Sequence, residues 1–220
     1  MKITCVIPAY NEEKNISQVI TKVKPLVNEI IVVDDASRDQ TFVEASKSEA
    51  IVVRHIINRG QGAALRTGTQ LALDRDADII IHFDADDQFQ AGDIPEMIAP
   101  LLAGQADAVL GSRFLDKKSN LPKLKKNLIM PLARLINRLF LNIRLTDPQS
   151  GFRALSRRSA EQLKIENDGM AHCSEILYQL FKNKNRVIEV PITVIYHEYG
   201  QKLSGGFKII KDLLIQKLIN

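Results

Sequence analysis

Asp84-Ala85-Asp86-Asp87-Gln88 places three carboxylates and an amide within five residues, directly after the apolar run IIIHF. Carboxylates so close together repel unless a cation or hydrogen bonds compensate them. An oxygen-only donor set suits Mg²⁺ or Mn²⁺, ions that keep several waters and bridge to substrate phosphates. The other reading is an acidic surface turn capping the next helix, a role open to Asp87. Asp34 and Asp35 close the run EIIVV in the same way. A carboxylate there can accept hydrogen bonds from a base N–H or a ribose hydroxyl, while Ser37 and Asp39 also suit a turn or a helix cap. NRGQGAALRTG lacks the third glycine of a dinucleotide fingerprint and the Gly-Lys-Ser/Thr of a Walker loop. It remains either a glycine turn that lets backbone approach a nucleotide, with Arg59 available to a phosphate, or a plain turn.

These clusters need elements to position them. Ile3 to Ile7, Glu29 to Asp34, Ile51 to His55 and Asp78 to Phe83 are short, apolar and rich in Val and Ile. They predict strands buried on both faces. Between them, Asn11 to Val23 shows Ile16, Val19, Ile20 and Val23 at helical spacing, with Asn11 or Asn15 as cap. Thr41 to Ser48 and Ala63 to Leu73 read likewise. The alternation predicts a mostly parallel, Rossmann-like α/β sheet flanked by helices. In such sheets ligands bind beyond the carboxyl ends of the strands, and PAYNEE, DDASRD, NRGQGAA and DADDQ all fall there.

A fifth strand, Ala108 to Leu110, leads into GSRF. Leu121 to Leu145 is apolar and cationic at helical spacing without an acid. Helices are expected around Ala160 to Leu163 and Ser174 to Phe181, a strand over Val187 to Tyr196, and a terminal amphipathic helix over Phe207 to Ile219. The expected organisation is one domain, 1–220, with a nucleotide-facing part over 1–112 and an acceptor and membrane-interface part over 113–220.

The net charge of +4 conceals an asymmetry. Arg113 to Arg158 carries 12 Lys and Arg against Asp116 and Asp147 alone, while the other residues carry 18 basic and 24 acidic groups. That segment is suited to anions. Aromatic residues are sparse in it, which argues against base stacking, so no nucleic-acid partner is expected. No run approaches the roughly 20 apolar residues of a spanning helix, and no signal-peptide core is present. A membrane role is therefore expected to be peripheral, through interfacial helices at Leu121 to Leu145 and Phe207 to Ile219, with their packing against the sheet as the alternative. Cys5 reads as a buried reduced thiol. His55 and His82 read as core residues. His172 and Glu175 lie near one helical turn apart, either toward an acceptor or as caps, and Glu13, Glu189 and Glu198 carry no assigned chemistry.

VIPAYNEE, IIVVDDASRDQT, NRGQGAALRTG, HFDADDQ, LGSRF and DPQSGFRALSR occur in that order and span nearly the whole chain. Together they resemble the inverting family-2 glycosyltransferases of GT-A fold, in the branch of dolichol-phosphate mannose synthase. The resemblance implies that Pro8, Tyr10 and Glu12 contact the donor nucleoside and that Asp35 holds its base or ribose. Asp84 and Asp86 would serve the metal and donor phosphates, with Gln88 a further ligand to Mg²⁺ or Mn²⁺. Arg113 would face phosphates of donor or acceptor, and Asp147, Ser150, Gly151, Phe152 and Arg153 would lie near the acceptor. HEYGQKLS, His197 to Ser204, matches a segment where relatives show Arg-x-x-Gly-x-Ser-Lys. Here His197 replaces the arginine, and the resemblance implies that Lys202 is available for a phosphate.

The implied reaction moves a hexose from a nucleotide sugar (GDP-mannose or a UDP-sugar) to a polyprenyl or dolichyl phosphate at the cytoplasmic face of a membrane. An anionic phosphate acceptor needs cations rather than a strong base, whereas a hydroxyl acceptor would require a carboxylate such as Asp147 or Asp87. The excess of cations favours the phosphate. A transferase acting on a hydroxyl, a nucleotidyltransferase and a non-catalytic membrane-binding module are the competing expectations. The absence of a glycine-rich phosphate loop after the first strand argues against the second.

Overall fold

The computed structural model describes residues 1–115 and 145–195. Most of Leu121 to Leu145, and all of His197 to Ser204 with Lys202 and of Phe207 to Ile219, lie outside the described residues. Five strands predicted from sequence form with small shifts of boundary: β1 (Ile3–Ala9), β2 (Glu29–Asp34), β3 (Ile51–Arg54), β4 (Ile79–His82) and β5 (Ala108–Ser112). The helices between them are α1 (Ile16–Val23), α2 (Thr41–Ser46), α3 (Gln61–Asp74) and α4 (Ile94–Leu102). After the undescribed segment come β6 (Arg153–Ser156), α5 (Arg157–Glu161), α6 (His172–Lys182) and β7 (Val187–Pro191).

One sheet of seven strands results among the described residues, in the order β3-β2-β1-β4-β6-β5-β7. β1 lies parallel between β2 and β4, and β5 pairs in parallel with β7. β6 runs antiparallel between β4 and β5. Sequence reading missed this strand, and it missed α4. It also extended the last strand to Tyr196, whereas β7 ends at Pro191 and the chain continues as a single bridge from Val194 to Phe89.

The sheet is covered on both faces. Ile16, Val19, Ile20 and Val23 of α1 and Ile94, Met97, Ile98 and Leu101 of α4 pack on one side. Ala64, Leu65 and Ala72 of α3 and Ile176, Leu177 and Leu180 of α6 pack on the other. Burial on both faces explains why the strands read as unbroken apolar runs.

Chain order reverses between β1 and β4, which makes a crevice at their carboxyl ends. Pro8 helps to open it. Along β1, the Val6 carbonyl accepts from Phe83 N–H on the β4 side at 3.1 Å, and the Ala9 carbonyl accepts from Asp35 N–H on the β2 side at 2.8 Å. Residue 8 therefore faces β4, and proline has no N–H to continue that ladder. Pairing of β1 with β4 ends at Val6 opposite His82. Because β6 is antiparallel, its first residues arrive at the same edge, bringing DPQSG beside DADDQ and GSRF.

Candidate active site

The DADDQ turn leaves β4 over three aromatic rings. Phe83, Phe89 and Phe152 pack edge to face or tilted, with centroids 5.0 to 5.7 Å apart. Asp84 Oδ1 accepts from Gln61 Nε2 at 2.8 Å. Gly151 backs directly onto this carboxylate: a Cβ there would lie 2.7 Å from Asp84 Oδ2. The glycine of DPQSG is thus required by close approach. Burial, with Asp86 and Cys173 adding, pushes the Asp84 carboxyl up to about 7 against the pull of Arg153 and His172. Asp86 Oδ1 accepts from Gln88 N at 3.1 Å, and the Gln88 carbonyl accepts from Ile195 N at 2.9 Å. Asp87 does not cap the next helix. It adopts a left-handed φ of 57° and pairs with Lys22 Nζ at 2.7 and 2.8 Å.

Glu12 lies within electrostatic reach of this turn. Burial raises its carboxyl, opposed by a hydrogen bond from Asn15 and reinforced by Asp86 and Asp39. Tyr10 is exposed just beyond β1, and Pro8 is buried within it. α1 begins at Ile16 rather than near Asn11. Asn11 takes a left-handed φ of 56° and accepts from Arg38 N at 2.9 Å, so it belongs to the turn.

Asp35 is heavily engaged. Its Oδ1 contacts His55 Nδ1 at 2.7 Å and accepts from Arg59 N at 3.0 Å, while Oδ2 accepts from Gly60 N at 2.6 Å. His55 thus satisfies internal hydrogen bonds, with Asp35 on one ring nitrogen and Thr67 Oγ1 on the other at 3.0 Å. The glycine loop is filled by protein: Gly62 N donates to the Asp168 carbonyl at 2.9 Å. A Cβ on Gly60 would lie 2.3 Å from that oxygen, and one on Gly62 would lie 2.0 Å from the Asn167 carbonyl. These glycines admit the 167–168 backbone. Arg59 Nη2 reaches Asp168 Oδ2 at 3.3 Å.

GSRF and DPQSG interlock. Asp147 is fully buried, and Arg113 grips it with Nε to Oδ2 at 2.5 Å and Nη2 to Oδ1 at 2.6 Å. The Arg113 N–H adds a bond to Oδ2 at 3.1 Å. A carboxylate held this way is not free to act as the base considered from sequence. Glu189 accepts from Thr146 N, Thr146 Oγ1 and Asp147 N at 2.8 to 2.9 Å. The sequence assigned no chemistry to Glu189 and did not single out Gln61.

Arg153, expected near the acceptor, is 1% exposed. It stands opposite His82 in β4 and Leu110 in β5, on the face covered by α3 and α6. Its Nη1 and Nη2 have no hydrogen-bond partner among the described residues, and neither does Ser150 Oγ. From this buried position Arg153 acts on Asp84 by its charge. Burial raises the Cys173 thiol, but Arg153 and His172 beside it bring it down to about 6. His172 packs at the start of α6, with Nδ1 2.8 Å from the Gly169 carbonyl.

The donor set fits a hard divalent ion. Asp84 and Asp86 bring two carboxylates to one turn, two residues before Gln88, and burial with the neighbouring Asp86 raises the Asp84 carboxyl. Among the described residues no three His, Cys, Asp or Glu side chains gather into a group that could hold a metal ion, so any ion here would rest on two carboxylates and other oxygens. An incomplete oxygen set of this kind leaves positions for waters and phosphates.

The sheet order and this edge define a GT-A glycosyltransferase. Glucosyl-3-phosphoglycerate synthase from Mycobacterium tuberculosis, solved with Mn²⁺, UDP-glucose and phosphoglyceric acid, superposes with a TM-score of 0.76 at 25% identity, covering 97% of this chain and 78% of that one. The chain belongs to glycosyl transferase family 2, whose family model matches residues 4–164. It is 36% identical to the UDP-N-acetylglucosamine–dolichyl-phosphate N-acetylglucosaminyltransferase of Methanococcus voltae, over 98% of this chain and 96% of that protein. The undecaprenyl-phosphate mannosyltransferase of Micrococcus luteus is 31% identical over 94% of this chain and 89% of its own length.

Proposed function

We propose that this glycosyltransferase moves a hexose from a nucleotide sugar, GDP-mannose or a UDP-sugar, to a polyprenyl or dolichyl phosphate at the cytoplasmic face of a membrane. The observation that carries this reading is the Arg113–Asp147 pair. It brings a guanidinium to the sheet edge and engages Asp147, while Asp87, the other candidate base for a hydroxyl acceptor, is paired with Lys22. A phosphate oxygen is already a nucleophile, so its attack on the anomeric carbon requires orientation and charge neutralisation rather than proton removal. Displacement from the face opposite the nucleoside diphosphate inverts the anomeric centre. The names of the two relatives, similar over nearly the whole chain, support a lipid-phosphate acceptor.

Asp84, Asp86 and Gln88 would hold Mg²⁺ or Mn²⁺. The bound ion supplies Lewis-acid neutralisation of the leaving diphosphate. Pro8, Tyr10 and Glu12 border the β1–β4 crevice, where the nucleoside would lie. Asp35 shapes that crevice by fixing the loop after β3. Arg113 and Ser150 face the phosphates, Asp147 orients Arg113, and Arg153 acts from below on Asp84. Lys202 and the acid-free run Leu121 to Leu145 provide further cations for acceptor and membrane. The 1–112 part thus serves the donor and the 113–220 part the acceptor. Transfer of label from a panel of nucleotide sugars into an organic-phase product, with polyprenyl phosphate, Mn²⁺ or Mg²⁺ and an EDTA control, tests the proposal. Metal-dependent glycolipid is the expected result. Donor consumption only with water-soluble acceptors would contradict it.

A further inference from the structure

Glu189 lies on β7, opposite Leu110 of β5, and is the point on which two motifs converge. Its Oε1 accepts from Thr146 N, Thr146 Oγ1 and Asp147 N, each at 2.9 Å, and Oε2 accepts from Thr146 N at 2.8 Å. The Thr146 hydroxyl spends its proton on Glu189, so it must accept from the Ser112 hydroxyl, 2.6 Å away. Ser112 Oγ in turn accepts from Phe114 N at 3.2 Å. The residues on both sides of Arg113 are therefore tied to Thr146, and Arg113 itself is tied to Asp147. Both chains of bonds end on the Glu189 carboxylate.

We propose that Glu189 is a positioning residue, which sets the guanidinium of Arg113 through the Thr146–Asp147 turn. The inference rests on the reading of Arg113 as phosphate-facing. Only an ionised carboxylate can accept from all three donors at charge-assisted strength. A glutamine offers one carbonyl oxygen and turns an NH₂ group toward N–H donors. The turn then loses its anchor, and the Arg113 fork shifts with Asp147. Displacements of about 1 Å at a reacting centre cost on the order of 100-fold in rate. The metal turn has fastenings of its own, Gln61 to Asp84 and Ile195 N to the Gln88 carbonyl, which do not involve Glu189.

The test compares transfer to polyprenyl phosphate by wild type, E189Q, R113Q and the double variant, with the Mn²⁺-induced thermal shift as a control. E189Q and R113Q should each lower kcat/KM for the acceptor about 10- to 100-fold. The double variant should fall within about twofold of R113Q, because both changes act on one group. The Mn²⁺ shift should persist in E189Q. Additive losses, or wild-type turnover in E189Q, overturn the relay. Wild-type turnover in R113Q contradicts the phosphate-facing reading of Arg113 and the relay with it.

A spectroscopic readout separates the relay from the choice of acceptor. The Arg113 Nε–H resonance, assigned by its loss in R113Q, should be protected from solvent exchange in the wild type and exposed in E189Q. Retained protection in E189Q overturns the relay whatever the acceptor proves to be. If E189Q does not fold, Thr146→Val removes one hydroxyl and should lower the rate and the protection more mildly, while Thr146→Ser restores both. Equal losses in the two would assign the effect to packing and overturn the proposal.

Discussion

Asp84 feels opposing influences: burial and Asp86 push its carboxyl up to about 7, while Arg153 and His172 pull it down. An unfolded aspartate titrates near 3.9. Between about pH 4 and pH 7 the folded chain thus holds a proton that the unfolded chain has lost, and stability falls as pH rises through that window. A divalent ion held by Asp84, as proposed, would take the place of the proton, so stabilisation by Mn²⁺ should grow over the same range. Thermal denaturation against pH, with and without Mn²⁺, checks this. The metal-free decline should flatten in Asp84→Asn, and equal slopes in the two proteins would contradict the assignment. Arg153→Met removes a charge that favours the ionised form, and should move the window to higher pH. Asp86→Ala should fold and lose metal-dependent turnover by on the order of 100-fold. Wild-type turnover would contradict its role.

At the scale of elements, the start of α3 is the tightest joint near the site. Gly62→Ala places a methyl 2.0 Å from the Asn167 carbonyl and 3.0 Å from His172 Cβ. Overpacking of this kind costs about 1–3 kcal/mol, which in a domain of this size lowers Tm by about 2–4 °C per kcal/mol. Calorimetry should show the loss, and an unchanged Tm would mean that the 167–168 backbone yields freely. What the sequence revealed follows the same physics. β1, β2 and β4 were legible because burial on both faces leaves unbroken apolar runs. β6 was not, because RALS is four residues long, begins with an arginine, and is defined by partners far away in the chain. α4 was hidden by Pro95 and Pro100, although Ile94, Met97, Ile98 and Leu101 keep helical spacing and proline is tolerated in the first turn. The acidic turns showed their chemistry through residue type. Glu189 and the burial of Arg153 depend on strand pairings, and Gln61 on the packing of α3 beside β4, none of which local sequence encodes.

Across the whole molecule, Glu12, Asp35, Asp84, Asp86 and Asp87 lie at the carboxyl ends of the strands, while the basic excess falls between Arg113 and Arg158. Among the described residues no helix is long and apolar enough to cross a membrane. Basic residues near an anionic surface contribute about 1 kcal/mol each. The protein should therefore float with anionic vesicles at low salt and be released as salt rises. Failure to float at low salt would contradict surface association.

The central claim is that the acceptor arrives as an anion, so that no carboxylate base is needed. Its most direct test offers the enzyme polyprenyl phosphate and the corresponding neutral polyprenol at equal concentration, with the same donor and Mn²⁺. The account predicts glycosylated lipid phosphate and no product from the alcohol. Transfer to the alcohol at a comparable rate would contradict it, and would require a base that the Arg113–Asp147 pair does not provide.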